Sequence, residues 1–328
     1  MASVVQVFTT GGTIASRIDP RTGAAVPAVD AKALVAMVPG LQEIAELRVE
    51  ELALESSWNV TLPMLAGWAR RIRAVLAAGD VAGAVVTHGT DTLEETAFAL
   101  DLLCDGPSPV VVTGAMRNAS EPGPDGPRNL LAAVRVAADP GARGRGALVV
   151  LNDEAHAARH VTKSHTTALG TFRSPWHGPA ATLDSAGVRW GPSAPRPPPL
   201  PPCEPEPRVH LVKMALGLDP LLLRAVLEGG GRGLVVEGSG AGNVWGAWEP
   251  ALDALVAAGI PVVLTSRTGG GRVVPAYGAP GGGSRLAARG LILGGELSGP
   301  KARIALAFAL GSGLDAAGVR AWFARLVG

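Results

Sequence analysis

Val85-Val86-Thr87-His88-Gly89-Thr90-Asp91-Thr92-Leu93-Glu94-Glu95-Thr96 decides the fold. An apolar, β-branched run enters a polar turn. Beyond it, Leu93, Ala97 and Leu100 fall on one face of a helix. A strand with no polar side is covered on both faces, which is the habit of parallel sheets. The same alternation recurs outward from this stretch. Val4–Phe8, Ala84–Val86, Val110–Thr113 and Ala147–Leu151 read as buried strands, with helices expected over Leu62–Ala78, Leu93–Leu103 and Arg128–Ala137. Such alternation predicts βαβ units and a parallel sheet.

Residues 191–207 read GPSAPRPPPLPPCEPEP, nine of them proline. The segment forms neither helix nor sheet and behaves as a stiff connector. Beyond it Val209–Lys213, Leu234–Val236 and Val262–Thr265 again look like buried strands. The expected architecture is therefore α/β. A larger N-terminal parallel-sheet domain with catalytic residues covers 1–190, a proline-rich linker covers 191–207, and a smaller C-terminal α/β domain covers 208–328.

Composition narrows the function. Of 328 residues, 47% are hydrophobic but only 4% aromatic, so the core is built from Val, Leu, Ala and Ile. The formal net charge is +1 with no basic or acidic block, which gives nucleic acid or a membrane surface no purchase. Cys104 and Cys203 make no disulfide framework and fit a reducing compartment. There is no CxxC, no HExxH and no close ligand cluster, so no metal is expected. No stretch approaches the roughly 18–20 apolar residues of a membrane span. The opening MASVVQVFTTGG lacks the pattern of a signal peptide, so the expected location is cytoplasmic.

Polar groups recur just after successive strands. Thr9-Thr10-Gly11-Gly12-Thr13-Ile14-Ala15 follows the first one. Its glycines allow a sharp turn and close approach of a ligand, and Thr13 presents a hydroxyl at a strand's carboxyl end. A plain glycine turn with a capping threonine reads the same. At the second turn Thr90 sets a hydroxyl beside Asp91, near a helix N-terminus, as nucleophile activation or anion binding requires. Asp91 with Glu94, or Thr92 with Glu95, equally fits a capping box. His88 reads as a packed strand-end histidine. Lys163 gains interest only from company. Beside a threonine it can lower that hydroxyl's pKa or, with its own pKa lowered by burial, accept its proton, whereas by itself it is a solvated charge. Glu55-Ser56-Ser57 offers hydroxyls to a ligand, or simply a turn. Such strand ends converge on one crevice in an open parallel sheet.

At TTGGTIAS and HGTDTLEETA the sequence resembles the bacterial-type L-asparaginase/glutaminase family. Further segments agree in order: Gly114-Ala115-Met116-Arg117, Asp125–Leu130, Asn152-Asp153, Val161-Thr162-Lys163 and Pro300-Lys301-Ala302-Arg303. The resemblance implies a two-domain α/β enzyme with no cofactor. A threonine attacks the side-chain amide of asparagine, ammonia leaves, and an acyl-enzyme is hydrolysed to aspartate. It implies Thr13 as the flexible-loop threonine and Thr90, Asp91 and Lys163 as the threonine–aspartate–lysine group. Either threonine can attack first; Thr13 is preferred. Ser56 would hold the α-carboxylate and Asp91 the α-amino group, with Ala115 close to the leaving amide. Gly12, Ser57 and Gly89 would line the same pocket. A site shared between subunits implies a homodimer or homotetramer.

The chain departs from the family pattern in two places. Ser16–Pro27 holds no tyrosine, and the sole tyrosine, Tyr277 in the loop Arg272–Tyr277, would supply that ring. In Gly238-Ser239-Gly240-Ala241-Gly242-Asn243, Ala241 stands where the family has asparagine. These departures bear on asparagine against glutamine, with glutaminase activity the weaker. Two other readings remain. One is an amidohydrolase acting on a larger substrate, as in tRNA-dependent amidotransferases. The other is an amino-acid-binding or sensor protein without catalysis.

Overall fold

The computed structural model describes residues 3–19, 21–23, 25–27, 35–36 and 38–328, and the chain forms two compact units, 1–199 and 200–328. In the loop expected to lack a tyrosine, Pro20 and Ala24 lie outside the described residues.

In the first unit the main elements are β1 (Val4–Gly11), β2 (Glu46–Glu55), α1 (Leu62–Ala77), β3 (Gly83–Thr87), α2 (Leu93–Leu103), β4 (Val110–Thr113) and α3 (Gly126–Ala138). They are followed by β5 (Ala147–Leu151), β6 (Glu154–Ala157), β7 (Thr162–Lys163), β8 (Phe172–Arg173), β9 (Ala181–Asp184) and β10 (Gly187–Trp190). Among the described residues one eight-stranded sheet runs in the order β10-β9-β6-β5-β4-β3-β1-β2. Its core, β2-β1-β3-β4-β5, is parallel. The flank β6-β9-β10 is antiparallel. The order 2-1-3-4-5 reverses direction between β1 and β3, and ligands bind outside the carboxyl ends of strands at such a switch point.

The expected strands form because their side chains have no polar face. β3, β4 and β5 are buried at every residue, as their unbroken Val and Ala runs require. α1 starts where the Thr61 hydroxyl accepts from Met64 N at 3.4 Å, with Pro63 in the first turn. α3 lays Leu130, Ala133, Val134 and Ala137 against Val5, Val7, Val85 and Val111 of the sheet. The flank was not anticipated. Asn152 and Asp153 both take positive φ, 51° and 59°, and make the tight turn that reverses β5 into β6.

The second unit holds β11 (Val209–Lys213), α4 (Leu221–Glu228), β12 (Gly233–Gly238), α5 (Glu249–Ala257), β13 (Val262–Ser266), α6 (Gly283–Ala288), β14 (Ile292–Leu293), α7 (Gly299–Gly311) and α8 (Ala316–Val327). Its sheet, β11-β12-β13-β14, is wholly parallel. Leu234, Val236, Val262 and Leu264 pack there on Leu252, Leu255 and Trp248.

Residues 191–207 carry no helix or strand, and the two units divide within them. The segment is fastened rather than loose. Arg196 donates to the carbonyls of Cys104 at 2.8 Å and Gly106 at 3.0 Å, and Arg159 donates to that of Pro195 at 3.0 Å. No described helix is long and apolar enough to cross a membrane.

Candidate active site

The switch point is crowded by glycine. Gly12 has φ 84° and ψ −178°, a region open essentially to glycine alone. A Cβ there would run into the main chain of Gly89. A Cβ on Gly89 would lie 2.7 Å from Ser57 Oγ, and one on Gly114 2.5 Å from His88 O and 3.3 Å from Thr90 Cγ2. The turns after β1, β2, β3 and β4 therefore touch backbone to backbone, and any side chain at these glycines would hold them apart. Thr10 Oγ1 donates to Thr87 O at 2.9 Å and fastens the end of β1 to β3. Thr13 opens a short 3-10 turn, Thr13–Ala15, and is half-buried. Ser56 is half-buried, while Ser57 is buried beneath Gly89.

Lys163 reaches this place from β7, which pairs with β8 through Lys163↔Phe172 and Thr162↔Arg173. It lies on a short hairpin strand. Its Nζ donates to Thr90 Oγ1 at 3.0 Å and to Asp91 Oδ1 at 2.7 Å. Thr90 is 7% exposed, the lysine side chain 14% and the aspartate side chain 53%. The ammonium is thus largely out of water and the carboxylate keeps an open edge. A charge-assisted contact is stronger than a neutral one, and more so where water is excluded. A donor so placed favours negative charge on Thr90 Oγ1.

His88 is fully buried, and burial holds its imidazole at about 4, well below the usual histidine range. Its Nδ1 lies 2.7 Å from Gly89 O and its Nε2 3.0 Å from Thr96 Oγ1. A neutral ring meets both by donating to the carbonyl and accepting from the hydroxyl. His88 is the packed strand-end residue expected, and it fixes the turn that carries Thr90.

The helix start differs from expectation. Thr92 is the N-cap of α2, but no side chain caps it. Thr92 Oγ1 donates instead to Ser57 O at 2.7 Å, and Glu94 Oε2 accepts from the main-chain N–H of Lys163 at 3.1 Å. With Asp91 on Lys163 Nζ, these side chains serve neighbouring turns rather than their own helix. A cap is worth about 1 kcal/mol, so a tertiary hydrogen bond to a charged group can displace it.

The turn after β4 is held from α3. Asp125 accepts from Met116 N at 3.0 Å and Arg117 N at 2.8 Å. Asn129 Nδ2 donates to Gly114 O at 2.9 Å, and its Oδ1 accepts from Asn152 N at 3.0 Å. Ala115 between them is fully buried. Tyr277 belongs to the second unit, where its ring is 59% exposed and its carbonyl accepts from Ser284 N at 3.0 Å. Asn243 there accepts from Gly283 N through Oδ1 at 3.1 Å. Thr13, Thr90, Asp91, Lys163, Gly12, Ser56, Ser57, Gly89 and Ala115 all lie in the first unit, at or beside the strand ends.

Comparison with known proteins covers nearly the whole chain. Residues 4–196 match the family described as asparaginase, N-terminal, and residues 208–323 match the glutaminase/asparaginase C-terminal domain. The chain belongs to the asparaginase family. It is 35% identical to L-asparaginase 2 of Bacillus subtilis over 328 residues, covering 97% of this chain and 85% of that protein. It is 38% identical to a probable L-asparaginase of Deinococcus radiodurans over 321 residues, 96% of this chain and 95% of that one. The crystal structure of a probable cytoplasmic L-asparaginase from Campylobacter jejuni superposes with a TM-score of 0.88 at 31% identity, covering 98% and 99% of the two chains.

As a member of the asparaginase family this chain is an amidohydrolase. Sequence reasoning singled out the hydroxyls because they follow strands, and Lys163 through the resembling segment Val161-Thr162-Lys163. It gave Thr92 and Glu94 a capping role only, and none to Asp125 or Asn129. The last two stand in the shared segment Asp125–Leu130, and that position was the signal available.

Proposed function

We propose that this amidohydrolase is an L-asparaginase, converting L-asparagine to L-aspartate and ammonia through a threonine ester. The observation that carries the reading is the contact of Lys163 Nζ with both Thr90 Oγ1 and Asp91 Oδ1 at the switch point of the parallel sheet. The names of the relatives, L-asparaginases, support the substrate.

In this reading Thr13 Oγ1 attacks the side-chain amide carbon. Its proton passes to the departing nitrogen, the C–N bond breaks, and ammonia leaves an ester on Thr13. Water then adds to the ester carbon, the C–Oγ bond breaks, a proton returns to Thr13, and aspartate departs. The Thr90–Lys163 pair relays protons, and the ammonium stabilises the charge that develops on Thr90 Oγ1. Thr90 is the other hydroxyl able to attack first. A free amino acid needs a carboxylate for its ammonium and a hydroxyl or amide for its carboxylate. Asp91 has an exposed carboxylate edge for the first, and Ser56 is half-buried at the next strand end for the second. Gly12, Gly89 and Ala115 leave main chain close to the amide, with Ser57 beneath Gly89. Tyr277 is assigned as the covering ring, and L-glutamine as the slower substrate.

The test is ammonia release from L-asparagine and L-glutamine by the wild type, Thr13→Ala and Thr90→Val. Release from asparagine, lowered more than about 1000-fold by either substitution, is the expected result. Retained asparagine binding with no release from the wild type would make this an amino-acid-binding protein instead.

We read the working enzyme as a cytoplasmic homodimer or homotetramer. The exposed apolar side chains Leu216, Leu221, Leu222 and Trp245 of the second unit support self-association. Light scattering that finds a fully active monomer would dismiss it.

A further inference from the structure

Lys163 is gripped at two points. At its tip, Nζ meets Thr90 and Asp91; at its base, the main-chain N–H donates to Glu94 Oε2 at 3.1 Å. All three partners come from one stretch, the turn after β3 and the first turn of α2. A lysine side chain has four rotatable bonds, so contacts at the tip alone leave the main chain free to drift.

The hairpin that carries Lys163 is held at its base by buried Val161 and Phe172 and by Ser174 against His156, but is short and exposed beyond. β7 and β8 are two residues each. Residues 164–168 of the connecting loop are exposed. The loop closes mainly on itself: Ser164 N and Oγ both donate to Thr171 O, at 2.8 and 2.7 Å, and Thr171 Oγ1 accepts from His165 N at 2.7 Å. These bonds hold the hairpin's shape but do not set its distance from Thr90.

No side chain caps α2, and the Glu94 carboxylate, in its first turn, accepts from the main chain of Lys163 instead. We propose that Glu94 is a positioning residue for the reaction: its carboxylate fixes the main chain of Lys163 and thereby sets Nζ against Thr90 Oγ1. This rests on the reading of the Thr90–Lys163 pair as the proton relay. Glu94 acts through Lys163 and need not touch the substrate. A displacement of about 1 Å at a reacting group costs up to roughly 100-fold in rate, so a lost anchor shows in kcat rather than in KM.

Four variants test this by steady-state ammonia release: Glu94→Ala, Glu94→Gln, Lys163→Ala and the double variant Glu94→Ala with Lys163→Ala. Glu94→Ala is expected to lower kcat by about 10- to 100-fold with KM little changed. Glu94→Gln keeps an amide oxygen to accept the Lys163 N–H and should recover most of the rate. The double variant should be no slower than Lys163→Ala, because the two residues act as one unit. Lys163→Ala damaging while Glu94→Ala turns over normally would overturn the inference and leave the relay reading standing. So would Glu94→Gln failing as badly as Glu94→Ala, or losses that multiply in the double variant. Wild-type turnover in Lys163→Ala would instead sink the relay and, with it, the role given to Glu94.

Discussion

The two parallel sheets of this chain are built alike and end differently. The central strands of both are short and buried on each face, and both break into glycine-rich turns at their carboxyl ends. In the second unit the hydroxyls at those strand ends donate to main-chain carbonyls, of their own turn or of the neighbouring strand and turn. Ser239 N and Oγ both donate to Asn243 O, at 2.7 and 3.2 Å; Ser266 Oγ donates to Gly240 O at 2.6 Å, and Thr265 Oγ1 to Val236 O at 3.2 Å. In the first unit a largely buried ammonium is set among such bonds: Lys163 meets Thr90 and Asp91, Glu94 accepts its main-chain N–H, Thr92 reaches Ser57 and Asn129 reaches Gly114. A parallel sheet supplies a place for a site. A largely buried charge set against a hydroxyl turns the place into a constellation.

Three measurements press on that contrast. The largest effect should come from Gly12→Ala. It forces a side chain into φ 84° and against the Gly89 main chain. The turns after β1 and β3 must then part, and the variant should lose more than about 3 kcal/mol of stability in urea titration, with turnover abolished. Normal stability would mean the turns are not held together as described.

The second is acid sensitivity. Buried His88 refuses a proton until about pH 4, whereas in the unfolded chain it accepts one near its ordinary value of 6.5. The unfolded state therefore binds the extra proton between these limits. His88 contributes fully above pH 6.5, and its contribution falls away as pH drops towards 4, by up to about 3 kcal/mol. Urea titrations at pH 7 and pH 4.5 should show the loss, and His88→Gln should flatten that part of the profile. An unchanged slope in the variant would place the acid sensitivity elsewhere.

The smallest effect is predicted for Asn243→Ala in the second unit. It removes one side-chain bond, to Gly283 N, and should cost about 1 kcal/mol without altering the turnover of L-asparagine. A fall in kcat comparable to that of the Lys163 variants would break the comparison, because the Asn243 turn would then belong to the chemistry.

The frame of both sheets was legible because burial on two faces leaves a plain trace. Val110–Thr113, Ala147–Leu151 and Leu93–Leu103 lie where the apolar runs put them, whereas Val209–Lys213, expected to be buried, forms an edge strand with His210 and Lys213 exposed. The antiparallel flank was not, since β6, β9 and β10 are four residues each and mix polar with apolar side chains. The capping box at Asp91–Glu95 was legible as a pattern and is absent in fact. A cap and a tertiary hydrogen bond differ by too little for sequence to choose between them.

The sequence by itself determined the α/β frame, the asparaginase motifs and the hydroxyl-bearing strand ends, because periodicity, burial and glycine are local and act through near neighbours. Tertiary structure alone decided which side chains meet. Lys163 stands 73 positions beyond Thr90, and only the order of strands in the sheet and the fold-back of the β7–β8 hairpin bring its ammonium onto that hydroxyl. Their spacing along the chain carries no record of the contact.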